Sequence, residues 1–119
     1  MVDKYQAQFL KRKIELLNNL INSLYRDVVE SDHSTTQKQN VSDLCNIYSL
    51  ATNLEFFLAA NEDFQRKEFE DLIEYAFHVH HEFSAVILED DRNTSWLYSR
   101  YNQFNDVYKD AIDSISSVI

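Results

Sequence analysis

Three of the four histidines in this chain lie within four positions, in the stretch EYAFHVHHEF at residues 74–83. Imidazole and carboxylate groups ligate metal ions, and a histidine can also accept a phosphoryl group. Glu74, His78 and His81 follow i, i+4, i+7 spacing, which places them along one outer face of a helix. Metal binding or phosphoryl acceptance by the histidine cluster at 78–81 is therefore one hypothesis about function.

Helical geometry separates the three histidines. With 100° per residue and the core face centred on Ala76, His80 lies about 40° from the centre, whereas His78 and His81 lie about 160° and 140° away. His80 is thus predicted to be a partly buried histidine with a hydrogen-bond partner, and His78 and His81 are predicted to face solvent.

The sequence contains neither a complete metal-binding motif nor a complete phosphoryl-acceptor motif. A closed zinc site needs four ligands and a catalytic one needs three, and no other segment supplies a matching Glu-x-x-His. Residues 81–83 resemble the His-Glu-Phe start of a histidine-kinase dimerisation helix, which implies a phosphoryl-accepting histidine. The chain departs from that pattern at residues 84–86, where Ser-Ala-Val stands in place of the usual Asn or Pro. We predict no catalytic residue, no metal and no cofactor, and hence a protein that is not an enzyme.

The secondary structure that carries these side chains is predicted from the absence of glycine and proline. The 119 residues include no glycine and no proline, where average usage would give roughly 14 of the two together. Tight turns, hairpins and phosphate-binding loops depend on these residues. Their absence favours long helices and excludes the glycine-based nucleotide motifs. The length and the 45% apolar content predict a single helical domain over residues 1–119.

Four amphipathic segments are predicted, at residues 3–30, 42–60, 63–89 and 95–118, with a polar loop at 31–40. Their apolar residues alternate steps of four and three, as in the first segment at Leu10, Ile14, Leu17, Ile21, Leu24 and Val28. The predicted helix N-caps are Ser42, Asp63 and either Thr94 or Ser95. This pattern predicts an all-α, antiparallel four-helix bundle. Segments two and three remain open to interpretation as one bent helix or two helices.

The acidic charge is concentrated in one part of the chain. The net charge is −9, and residues 62–91 alone carry ten acidic and two basic side chains. The chain lacks the basic stripe of a nucleic-acid-binding protein, so direct nucleic-acid binding is not expected. We predict that a protein partner with a basic surface binds the outer face of the third segment. The predicted partner-binding residues are Glu70, Asp71, Glu74, Tyr75, Phe77, His78, His81 and Glu82.

The second segment is apolar around most of its circumference, since only Asp43 and Glu55 are charged between residues 41 and 60. Phe56 and Phe57 exceed what one buried face requires. They are predicted either to pack centrally or to form the self-association contact of a homodimer, and we favour the homodimer. Cys45, in the same segment, is expected to be a packing residue.

The single cysteine, which has no internal disulfide partner, favours a cytoplasmic location. The first 13 residues lack the apolar region of a signal peptide, and no run approaches the 18 apolar residues of a membrane span, so no membrane partner is expected. Small acidic bundles of this kind are similar in size and form to helical inhibitors, immunity proteins and antitoxins. The abundant Asn, Lys, Ile and Tyr suggest an AT-rich genome, such as that of a low-GC bacterium or one of its phages, and we predict that a phage or mobile element encodes the chain. An acidic DNA mimic that inhibits a nucleic-acid-binding enzyme is a narrower alternative.

Overall fold

The structure, a computed structural model, describes residues 2–30, 37–89 and 91–119. Helix accounts for 88% of these described residues, and none of them lies in a strand. The long helices are α1 (Lys4–Tyr25), α2 (Gln37–Ala60), α3 (Lys67–Leu88) and α4 (Ser95–Ser116). A π-helical turn, Arg26–Glu30, follows α1, and a 3₁₀ turn, Glu62–Phe64, separates α2 from α3.

The four helices pack in chain order, with α1 against α2, α2 against α3, α3 against α4, and α4 back against α1. Helices of 22 to 24 residues are about 33 to 36 Å long. They must therefore run along the long axis of a molecule that measures 47 × 23 × 21 Å. The predicted all-α, antiparallel four-helix bundle is confirmed.

A single apolar core lies between the helices because each helix buries one stripe of its surface. In α1 the buried stripe is the predicted alternation of four and three from Leu10 to Leu24, completed by the residues Ala7 and Tyr25. Val28, the last residue of the predicted stripe, lies in the π-helical turn and is only partly buried. Phe69, Phe83 and Phe104 contribute large buried rings from α3 and α4. Among the described residues no polar or charged side chain is fully buried, so burial of apolar area is the main stabilising contribution.

Asp3 determines where α1 begins. Its carboxylate accepts hydrogen bonds from the backbone N–H groups of Tyr5, at 2.8 Å, and Gln6, at 3.3 Å. These donors have no partner within the helix, and an aspartate N-cap satisfies them. The helix therefore starts within one residue of the predicted position.

The predicted start of α2 at Ser42 is wrong, because the helix begins at Gln37. The predicted loop at 31–40 is accordingly wrong for residues 37–40, and residues 31–36 lie outside the described part of the chain. Gln and Lys have high helix propensity although they are polar. The side chain of Gln39 donates to Asp43 at 2.9 Å, an i, i+4 pair on the outer surface of the helix. The prediction failed because the first turn of α2 is polar, and its composition resembles that of a loop.

The segments α2 and α3 are separate helices, and the predicted N-cap at Asp63 is wrong. Residues 62–64 form the 3₁₀ turn, and α3 starts at Lys67. Side-chain amides close α2 in place of a glycine: Asn61 donates to the carbonyl of Phe57 at 2.8 Å, and Gln65 donates to that of Leu58 at 2.9 Å. The terminal carbonyls of the helix thus gain partners without a left-handed residue.

The predicted position of the start of α4 is correct, but the predicted capping side chain is wrong. Thr94 occupies the N-cap position, yet its side chain makes no capping hydrogen bond. The carboxamide oxygen of Asn93 accepts from the backbone N–H of Ser95 at 3.0 Å, and Asp91 accepts from the N–H of Asn93 at 3.0 Å. Two consecutive side chain to backbone turns therefore lead the chain into α4.

Candidate functional site

Among the four long helices, α3 carries the most charged residues, with five acidic residues and one basic residue between Lys67 and Leu88. Glu70 and Glu74 are exposed, and His81 is exposed on the same outward side. The helix presents this face because its opposite side is the buried stripe that includes Ala76, Val79 and Phe83. We call the exposed outer side of α3, which includes Glu70, Glu74 and His81, the acidic face.

Asp71 and Glu82 are half-buried, so they are less accessible to a partner than Glu70 and Glu74. Asp71 lies at the boundary with α4, in a shallow cleft of about 170 Å³. The cleft is lined by Lys67, Glu68, Asp71, Val107 and Asp110. The acidic face therefore extends onto α4, which the sequence prediction missed.

A signal for this extension exists in the sequence of α4. Asp106, Asp110 and Asp113 follow i, i+4, i+7 spacing and are all exposed. Side chains at this spacing lie along one helix face. Residues 92–119 have equal numbers of acidic and basic side chains. The net charge of this segment is therefore zero and does not indicate the acidic stripe.

Aromatic side chains flank the acidic face on both sides. Phe77 is half-buried on the α2 side, where the ring of Tyr48 meets it edge to face at a centroid distance of 5.5 Å. Tyr75 is half-buried and contacts the ring of His78 at 5.3 Å, also edge to face. Tyr48 is 52% exposed, and the sequence prediction did not include it because it belongs to a different helix.

The prediction that His78 faces solvent is wrong. Its side chain is half-buried beside Tyr75, and its Nδ1 atom is enclosed with no hydrogen-bond partner among the described residues. The helical angle alone gave the wrong result because a neighbouring tyrosine ring covers the imidazole. His81 is exposed, as predicted.

His80 is half-buried between α3 and α2, as the helical geometry predicts. Burial and the nearby His81 lower its pKa from 6.5, while a hydrogen bond to the backbone of Leu44 partly raises it. The ring of Tyr48 packs against His80 at a centroid distance of 5.2 Å. The hydroxyl of Ser84 donates to the His80 carbonyl at 3.0 Å. These contacts make His80 a packing residue of the α2–α3 interface.

The described residues contain no group of three or more His, Cys, Asp or Glu side chains placed to hold a metal ion. Glu74, His78 and His81 share a spacing in the sequence, but they do not form such a group in the structure. The expectation that Cys45 packs inside the bundle is wrong, since this residue is exposed on α2.

Phe56 and Phe57 have different environments. Phe57 is half-buried, with its ring 5.5 Å from that of Phe9 and 5.6 Å from that of Phe64. Phe56 is 67% exposed on the outside of α2. Only Phe57 therefore contributes to packing within the bundle.

Comparison with known proteins found no matching family model, curated protein or solved structure. The fold itself does not define a function, because helical bundles host many unrelated activities. None of the described helices is long and apolar enough to cross a bilayer. Function is therefore inferred from the surface chemistry of the bundle.

Proposed function

We propose that this bundle is a non-enzymatic protein that acts by binding another protein through the acidic face of α3. The observation that carries this proposal is the concentration of five carboxylates on one helix, of which Glu70 and Glu74 are exposed. Solubility requires net charge but does not require the charge to lie on one face. A partner with a basic surface matches this distribution.

The acidic and aromatic groups have different parts in the proposed complex. The carboxylates increase the rate of encounter by long-range attraction, which is reduced by salt. Tyr75, Phe77 and Tyr48 lie beside the charged groups and provide apolar contact area. Aromatic residues bordered by charge frequently contribute most of the affinity of an interface.

By analogy of size and fold, the proposed class is that of inhibitors, immunity proteins and antitoxins that act in the cytoplasm and are encoded by phages or mobile elements. The continuation of the acidic face onto α4 favours a narrower version, in which the protein is an acidic DNA mimic. The partner would then be a nucleic-acid-binding enzyme whose basic surface ordinarily contacts phosphates. A competition experiment distinguishes the DNA mimic from the broader class, because only a DNA mimic is expected to displace nucleic acid from the partner.

The experiment begins with affinity capture of the partner from the native cell, followed by measurement of association rates with purified components. The test variant is Glu70→Lys with Glu74→Lys. The control is Glu62→Lys with Glu89→Lys, which changes the net charge equally at two exposed positions outside the acidic face. We expect association of the test variant at low salt to be slower by about tenfold, with little change for the control.

At high ionic strength the rates of the wild type and the test variant should converge, because exposed charges are then screened. Equal slowing by the test and control variants would mean that only net charge matters. Unchanged rates for the test variant would show that the acidic face takes no part in binding.

A further inference from the structure

We propose that the surface formed by α1 and α2 makes a two-fold symmetric contact with a second copy of this chain. This α1–α2 face consists of Phe9, Lys13, Leu16, Asn53, Phe56 and Phe57. It lies apart from the acidic face, because α3 is diagonally across the bundle from α1. The inference is therefore independent of the proposed function.

Large apolar side chains remain uncovered on this face. Phe56 is 67% exposed, Leu16 is 43% exposed and Phe9 is 40% exposed. Contiguous exposed apolar surface on a protein of this size is typical of an interaction site, whereas scattered single residues are not.

The exposed side chains form one patch. Phe9, Lys13 and Leu16 follow i, i+4, i+7 spacing and make a ridge along α1. Asn53 and Phe56 are i, i+3 neighbours on α2. The contact between the rings of Phe9 and Phe57, at 5.5 Å, joins the two helices.

A groove and a projecting side chain lie next to each other in this patch. The groove between α1 and α2 has a volume of about 230 Å³ and is lined by Phe9, Lys13, Leu50, Asn53, Leu54 and Phe57. Phe56, which is exposed, directly precedes Phe57 in the sequence and is three residues from Asn53, and both of these neighbours line the groove. In a two-fold contact, Phe56 of each copy enters the groove of the other, so the surface is self-complementary.

The distribution of charge selects this face for contact between two copies. Helices α1 and α2 together carry five basic and three acidic residues, whereas α3 and α4 together carry three basic and eight acidic residues. Two copies of a chain with a net charge of −9 repel each other if their α3–α4 sides approach. The α1–α2 face permits close approach, since α2 has no charged residue between Asp43 and Glu55.

Lys13 does not prevent this contact. Its ammonium nitrogen lies 5.3 Å from the centroid of the Phe9 ring, so its aliphatic stem covers part of the apolar ridge. A lysine of this kind keeps its stem on apolar surface while its charged end reaches solvent at the rim of an interface.

A contact centred on this face and extending along α1 and α2 is large enough for a stable dimer. Two helices about 33 Å long, each about 10 Å in diameter and lying side by side, present about 33 by 20 Å, or roughly 650 Å² per copy. The total of roughly 1,300 Å² lies within the range of specific protein interfaces.

The test is sedimentation velocity of the full chain from low to high micromolar concentration. We expect a concentration-dependent dimer for the wild type. Phe56→Glu places a carboxylate in the apolar groove of the other copy, and we expect it to weaken dimerisation by at least about 30-fold. Tyr98→Glu is the matched control, since Tyr98 is 60% exposed on α4 and should leave the dimer intact.

Leu16→Glu supplies a second test from α1, and it decides the question if Phe56→Glu fails to fold by circular dichroism. Loss of the dimer in a folded Phe56→Glu or Leu16→Glu variant, with Tyr98→Glu unaffected, supports the proposal. A wild type that stays monomeric, or a dimer that both α1–α2 variants leave intact, overturns it. Equal weakening by Tyr98→Glu also overturns it. None of these outcomes alters the test of the acidic face.

Discussion

Asn22 connects α1 to α4 through a short chain of polar contacts. The hydroxyl of Tyr101 donates to the carboxamide oxygen of Asn22, whose amide donates to the backbone carbonyl of Asn18 at 2.7 Å and to its side-chain oxygen at 2.8 Å. The ring of Tyr101 also stacks on that of Tyr25, with the planes 3° apart and the centroids 3.8 Å apart. One tyrosine thus combines apolar packing with a specific hydrogen bond between the first and last helices.

Tyr101→Phe keeps the stack but removes the donor to Asn22. We expect the free energy of unfolding to fall by about 1 kcal/mol, which is typical of one lost hydrogen bond at a partly buried site. Urea denaturation measures this change, with Tyr98→Phe as an exposed control that should have no effect. A Tyr101→Phe variant as stable as the wild type would show that water replaces the hydroxyl without cost.

His80 should make stability depend on pH in a defined direction. Burial and the nearby His81 lower its pKa from 6.5, so the unfolded chain takes up this proton before the folded chain does. Stability from this group is complete above pH 6.5 and decreases as the pH falls from there towards the lowered pKa. The groups that face His80 are the backbone of Leu44 and the ring of Tyr48 on α2, together with His81 on α3.

Nuclear magnetic resonance titration of the histidine rings measures the pKa directly. In His81→Gln the pKa of His80 should move up towards 6.5, because a neighbouring cation is removed. In His80→Gln the decrease in stability between neutral and mildly acidic pH should be smaller than in the wild type. A pKa of His80 at or above 6.5 would contradict the assigned effect of burial.

At the scale of elements, the 3₁₀ turn between α2 and α3 does more than connect them. Phe64, at the end of the turn, is 1% exposed and packs against the ring of Phe57. The turn therefore inserts a core residue between two helices, and the amides of Asn61 and Gln65 terminate α2 around it. The buried Phe64 and these two side-chain amides give a compact connection between α2 and α3 without a glycine.

Phe64→Ala should lower the free energy of unfolding by about 3 to 5 kcal/mol, because it leaves a cavity in the core. Tyr98→Ala is the matched control, since an aromatic side chain is removed from a site on α4 that is 60% exposed and lies outside the proposed dimer contact. The control should change stability by at most about 0.5 kcal/mol. Chemical denaturation of both variants provides the comparison, and similar losses for the two would contradict the assigned burial.

The apolar stripes predicted the four helices because periodic burial is a property of the sequence. The stripe of α1 appears in the structure with the predicted alternation. The helix ends were harder to predict, as at Gln37 and Lys67, because a polar first turn and a polar loop have similar compositions. Phe64 was missed for a related reason, since a helical period cannot identify a core residue that lies in a turn.

The candidate site was predictable only in part. Exposure of Glu70, Glu74 and His81 follows from angles on one helix. The contact of Tyr75 with His78 is between i, i+3 neighbours on α3 and depends on their side-chain rotamers. The position of Tyr48 beside Phe77 and the extension of the acidic face to Asp110 depend on how the helices pack. Contacts between helices are not contained in the period of any single helix.

At the scale of the whole molecule, the acidic charge is concentrated on one side. The α3–α4 side is strongly acidic, and the α1–α2 side combines exposed aromatic residues with a small excess of basic charge. A dimer formed through α1–α2 leaves both acidic faces directed outward. Such a dimer would present two equivalent acidic faces to its partners.

The elongated shape of the bundle has a consequence for the orientation of its backbone amides. The N–H bonds of an α-helix lie nearly parallel to the helix axis, and the helices run along the 47 Å dimension of the molecule. In a weakly aligning medium, residual dipolar couplings should therefore be similar in sign and size across α1, α2, α3 and α4. The amides of Glu62–Phe64 should deviate, because that turn crosses from one helix to the next. Couplings that differ strongly among the four helices would mean that their axes are splayed.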